Sequence, residues 1–96
     1  MRRWFLVTYD ISDEKRLRKV FKAMNDYGDH MQFSVFLCDL SEVERIRMEG
    51  RLMKVMNEKA DQVLVIDLGP SNRQTEVGDF RSLGRPLVYQ PRAKIA

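Results

Sequence analysis

The sequence predicts an α+β domain in which two helices cover one face of an antiparallel sheet, and three observations point to it. The segments 4–11, 30–40 and 62–68 are apolar and rich in aromatic and β-branched residues, as buried strands are. Between them, two stretches from about 13 to 27 and 42 to 58 carry apolar residues at helical spacing. The chain has 96 residues, enough for one core and too few for two. A hydrophobic share of 44% beside 32% charged residues excludes a disordered chain. No apolar run approaches the roughly 20 residues of a membrane helix, and Met1-Arg2-Arg3-Trp4 enters a strand with no cleavable apolar leader, so the expected compartment is the cytoplasm. Cys38 is the only cysteine, which excludes an internal disulfide and a thiol metal cluster and reads as a small buried strand residue.

The first strand, Trp4 to Ile11, stops on Asp10 and the helix-starting run Ser12-Asp13-Glu14. Alternation sends Phe5, Val7 and Tyr9 to one face and Trp4, Leu6, Thr8 and Asp10 to the other. Neither face is built for water. Helices of the same chain can cover one, so a second subunit is expected on the other, with Asp10 near the dimer interface.

The first helix, from Asp13 to Tyr27, has Ser12 as its expected cap, Leu17, Val20, Phe21 and Met24 as its apolar stripe, and Gly28 as its stop. Residues His30 to Leu40 are too long for one short strand and are expected to break near Gln32 to Ser34. Ser41 and Glu44 have capping-box spacing and open a second helix running to about Glu58. Its predicted apolar face is Ile46, Gly50 and Met53, widened by Leu52, Val55 and Met56, with Gly50 permitting a close approach. Gln62 to Leu68 is a further strand, ended by Gly69-Pro70. Pro86 to Gln90 reads as an edge strand that must join a sheet, its own or a partner's, and 91–96 as a flexible tail.

Strand, helix, strand pair, helix, strand is the β-α-β-β-α-β order of ferredoxin-like domains. The whole chain is expected to be one such domain with a short extra C-terminal strand. Its uncovered sheet face would carry Trp4, Leu6 and the aromatics of the second strand region, which favours a homodimer packed sheet to sheet.

A net charge of +3 is a mild excess, but its distribution is uneven. Lys15, Arg16, Arg18, Lys19 and Lys22 crowd the first helix, and Arg81, Arg85, Arg92 and Lys94 follow the last acid, Asp79. These are two candidate phosphate-binding surfaces; the alternative is a solvated helix face. There is no Gly-rich phosphate loop, no His pair at metal-ligand spacing and no Cys cluster. His30 reads as a surface residue, and a triad of Ser34, His30 and Asp10 lacks any nucleophile elbow. A carboxylate ending a buried strand must cap, pair or bind a cation. Asp10 therefore caps the next turn, pairs with a helix-one arginine, or joins its dimer mate around magnesium, which takes one or two carboxylates, waters and substrate phosphate.

Tyr9-Asp10-Ile11, the helix run Lys15-Arg16-Leu17-Arg18-Lys19-Val20, and Tyr27-Gly28 followed by Gln32-Phe33-Ser34-Val35-Phe36 resemble the CRISPR-associated Cas-two (Cas2) family over nearly the whole chain. The resemblance implies a homodimer whose C-terminal strand, Leu87 to Tyr89, adds to the partner's sheet. It also implies a role in acquiring CRISPR spacers, bridging the integrase subunit Cas-one (Cas1) on duplex DNA. It further implies magnesium-dependent endonuclease activity, with manganese as substitute, on RNA or double-stranded DNA. Asp10 of each subunit would hold the metal, and Tyr9, Ser34 and Phe36 would line the same cleft. Lys15, Arg16, Arg18 and Lys19 would contact the nucleic-acid backbone. Two departures stand out: an acid in Ile66-Asp67-Leu68, and a longer segment from Arg73 to Arg85. A scaffold without catalysis competes with the nuclease reading, and metal-dependent turnover separates them. A ferredoxin-like regulatory module binding a small ligand would show no salt-dependent DNA binding.

Overall fold

The computed structural model describes residues 1–71 and 83–84. The edge strand expected at 86–90, the tail at 91–96 and nearly all of the 73–85 segment lie outside them. The elements run β1 (Arg2–Asp10), α1 (Glu14–Met24), β2 (Asp29–Gln32), β3 (Val35–Ser41), α2 (Glu42–Val55) and β4 (Gln62–Pro70). The sheet order is β2-β3-β1-β4, with every neighbouring pair antiparallel. The ferredoxin-like expectation is met, with β1 at the centre and its strand pair broken at residues 33 and 34.

Register decides which side chains meet. Val7 faces Phe36 and Phe5 faces Cys38 across β1 and β3, and residues directly opposite share a sheet face. Phe5, Val7 and Tyr9 are therefore joined by Phe36, Cys38 and Leu40 beneath the helices, where Val20, Ala23, Met24, Met48 and Leu52 close the core. This corrects the expectation that the aromatics of the second strand region lie on the open face: Phe36 is fully buried on the helix side, and Phe33 projects from the turn at 81% exposure. The open face instead carries Trp4, Leu6 and Leu37, with Leu64, Ile66 and Leu68 of β4 between 41% and 47% exposed.

Three further expectations change. Asp13, not Ser12, caps α1, its carboxylate accepting the Arg16 backbone N–H at 2.9 Å. The Ser41–Glu44 capping box forms as predicted, but α2 stops at Val55 and buries Met48 and Leu52 rather than Ile46 and Met53, which are half exposed. Apolar residues occupy several sides of α2, so periodicity places Leu52 but misses Met48. Nothing lies within 4 Å of a Cβ built on Gly50. The close approach belongs to Gly28, where a Cβ would collide with Cys38 Sγ and sit 2.7 Å from the Leu37 carbonyl oxygen.

Candidate nucleic-acid interface

The C-terminal end of β1 brings three of the predicted site residues together. The Tyr9 N–H donates to the Ser34 carbonyl at 3.1 Å, so the β2–β3 turn is held against the end of β1. Asp10 pairs in register with Gln62, is exposed, and forms no ion pair among the described residues. Ser34 is half-buried. Tyr9 turns the other way, into the core, where its ring lies near-parallel to Phe36 at a centroid distance of 6.2 Å. Burial raises the pKa of its phenol, and its hydroxyl has no hydrogen-bond partner among the described residues. Phe36 is sealed beneath Phe21 and His30, with centroids 5.7 and 5.0 Å away. It supports Tyr9 and does not reach the surface.

The basic residues of α1 divide between two sides of the helix. Lys15, Arg18, Lys19 and Lys22 follow one another at i, i+3, i+4 and i+7 and line a single groove of about 280 Å³. The Arg18–Glu14 ion pair on that row is loose and exposed, at 3.6 Å.

Arg16 faces elsewhere. Its Nε donates to Asp61 at 2.8 Å and its second guanidinium nitrogen at 3.2 Å. The Asp61 side chain has no exposed surface and also accepts from the Ser12 N–H and hydroxyl, each at 3.0 Å, and from the Asn57 N–H at 2.8 Å. A buried carboxylate is costly unless its oxygens are satisfied, and here they are. The Arg16 guanidinium, helped by the two backbone N–H donors and the Ser12 hydroxyl, holds the Asp61 carboxyl far below the usual carboxylate range; Asp61 in turn raises the pKa of Arg16. This knot ties the β1–α1 connection, the first turn of α1 and the α2–β4 connection together. It also answers one alternative for Asp10: the helix-one arginine at this end of β1 pairs with a different acid.

Asp61 was not among the sequence-predicted site residues. Its signal was weak, an acid shortly after the polar run Asn57-Glu58-Lys59 and just before an apolar strand. The unexpected acid in Ile66-Asp67-Leu68 also finds a role, since Asp67 accepts from Arg3 Nε at 2.9 and 3.0 Å and from the Gly69 N–H at 2.9 Å. The Gly69 N–H and Arg3 lower its carboxyl pKa.

Among the described residues, no three His, Cys, Asp or Glu side chains converge as a metal site. Asp10 therefore belongs to no such cluster among the described residues; magnesium is commonly held by one or two carboxylates, with water and phosphate oxygens completing its shell. No helix of the described residues is long and apolar enough to cross a membrane.

A sequence profile for a family described as CRISPR associated protein Cas2 matches residues 1–76. The CRISPR-associated endoribonuclease Cas2 of Geobacter sulfurreducens is 35% identical over 91 residues, covering 94% of this chain and 96% of that protein. The CRISPR-associated endoribonuclease Cas2 1 of Rhodospirillum rubrum is 46% identical over 67 residues, covering 70% of this chain and 66% of its own. In three dimensions, the crystal structure of Streptococcus pyogenes Cas2 superposes with a TM-score of 0.68 at 32% identity, spanning 84% of this chain and 99% of that one.

Proposed function

The chain belongs to the Cas2 family of CRISPR-associated proteins, and from that premise we propose that two copies form a dimer that binds nucleic acid during CRISPR adaptation and hydrolyses phosphodiester bonds of RNA or duplex DNA. The observation that carries this reading is the groove of Lys15, Arg18, Lys19 and Lys22 on the helix that directly follows the exposed carboxylate of Asp10. A row of cations without base-reading partners suits a phosphate backbone irrespective of sequence. The relatives' description as endoribonucleases supports hydrolysis.

The dimer would close over the open sheet face, where Leu64, Ile66 and Leu68 beside Trp4 and Leu6 form an apolar surface that monomers seldom leave to water. That packing would bring Asp10 toward Asp10 of the partner subunit. Magnesium, or manganese in its place, would be held between those two carboxylates and would supply charge neutralisation at the phosphodiester. Lys15, Arg18 and Lys19 would fix the strand, and the Ser34 hydroxyl would donate to a phosphate oxygen. Tyr9 and Phe36, packed below, would hold the end of β1 in place, while Arg16 acts through Asp61 as a positioning residue. The protein would work in the cytoplasm.

A second reading rests on the single carboxylate per chain: the dimer is a scaffold that holds duplex DNA and bridges Cas1, with the chemistry left to that partner. Cleavage of labelled single-stranded RNA and duplex DNA by wild type and Asp10→Ala, with magnesium, manganese or chelator, decides between them. The nuclease reading expects metal-dependent cleavage that disappears in the variant. Equal cleavage by both proteins, or none by either beside intact DNA binding, leaves the scaffold.

A further inference from the structure

Next to the cationic groove lies a second, differently built cavity. Tyr9, Leu17, Arg18, Phe21, His30 and Phe33 enclose about 440 Å³ between α1, the end of β1 and the β2–β3 turn. Its walls are almost wholly apolar and largely aromatic. Phe21 and His30 meet edge to face at 5.0 Å, forming one rigid side. Phe33 lines the cavity at 81% exposure, and Phe21 is itself 37% exposed. Exposed phenylalanines in one patch cost solvation unless something stacks on them.

One polar feature narrows what that something is. Tyr9 lines the cavity with its ring and is only 6% exposed. Arg18 belongs both to this cavity and to the groove of Lys15, Lys19 and Lys22, so the aromatic walls and the phosphate-binding row share one cation. A purely apolar ligand would leave Arg18 unused. A bare anion would have no need of the rings. A flat heteroaromatic ring carried on a phosphate uses all of them.

We propose that this cavity is a docking pocket for the base of an unpaired nucleotide, stacked against Phe33 and Phe21 while its phosphate sits on Arg18. This rests on the nucleic-acid-binding reading above and deepens it. Bases inside a duplex are already stacked on each other and cannot enter, so the pocket distinguishes a single-stranded region from a blunt duplex. The α1 row then provides grip on any backbone, and the pocket provides the preference for unpaired strand.

The test uses the full-length protein and Phe33→Ala, a substitution on an exposed turn that leaves the core untouched. Binding is measured to a short single-stranded RNA, to the same strand with its bases replaced by abasic sites, and to a blunt duplex. Wild type is expected to bind the base-bearing strand about tenfold more tightly than the abasic one, the effect of one stacked base. Phe33→Ala should bring those two affinities together and leave duplex binding unchanged. A 2-aminopurine in the strand should be quenched by wild type and not by the variant. Equal wild-type affinity for abasic and base-bearing strands, with salt-sensitive binding intact, overturns the pocket alone. Absence of salt-sensitive binding to every one of these polymers overturns the nucleic-acid reading and the pocket with it.

Discussion

Arg16 and Arg18 stand two residues apart on the same helix, and the fold uses them in opposite ways. Residues two apart on an α-helix are separated by about 200° around its axis. One arginine is therefore turned to the α2–β4 connection and locked onto the buried Asp61, while the other joins Lys15, Lys19 and Lys22 over an open groove. The Arg16 side trades freedom for order. The Arg18 side keeps its charges exposed and weakly engaged, which a reversible phosphate contact requires, since a cation already satisfied by a buried carboxylate has little to offer an incoming strand. Charge counted along the sequence makes the two residues equivalent, and only their neighbours tell them apart.

The largest effect is expected from Asp61→Ala. It strands the Arg16 guanidinium and removes the acceptor for Ser12 and Asn57, so Tm should fall by roughly 10 °C or more. A variant that melts like wild type would break the contrast at once. Arg16→Lys should lose less, because an ammonium keeps the charge but not the guanidinium fork; thermal melting should rank it between wild type and Asp61→Ala.

Acid titration sharpens the same point. The folded Asp61 carboxyl is held well below its ordinary value, so its stabilisation is fully present above about pH 4 and drains away as pH falls toward the folded pKa. Urea midpoints between neutral and strongly acid pH should drop for wild type and follow a flatter course for Asp61→Asn. The smallest effect belongs to Glu14→Gln, which releases Arg18 from an exposed pair at 3.6 Å. Stability should change by less than about 0.5 kcal/mol, and nucleic-acid affinity should rise slightly in filter binding.

Much of the fold was legible in the sequence because strong local signals agreed. The two-sided β1, the break between β2 and β3 and the Ser41–Glu44 box all appear where residue type and spacing set them. The buried stripe of α2 was only partly legible: Leu52 lay on the expected face, but apolar residues surround that helix and only its packing against β3 and α1 picks Met48 over Ile46 and Met53. The second-strand aromatics could be assigned only after the β1–β3 register was known, because a strand's alternation has no absolute phase. In the candidate site, the i, i+3, i+4, i+7 row of α1 could be read directly. The Arg16–Asp61 pair spans 45 residues, and nothing local announces a partner that far away.

The most direct test of the phosphate-binding face is the salt dependence of duplex binding, compared between wild type, Arg18→Gln and a variant in which Lys15, Arg18, Lys19 and Lys22 are all glutamine. If that row holds the backbone, the logarithm of affinity should fall with the logarithm of salt concentration, and the slope should shrink by about 1 for Arg18→Gln and by about 3 to 4 for the fourfold variant, with Tm nearly unchanged. A slope that stays the same when all four charges are gone would contradict the account and move the nucleic acid to another face of the protein.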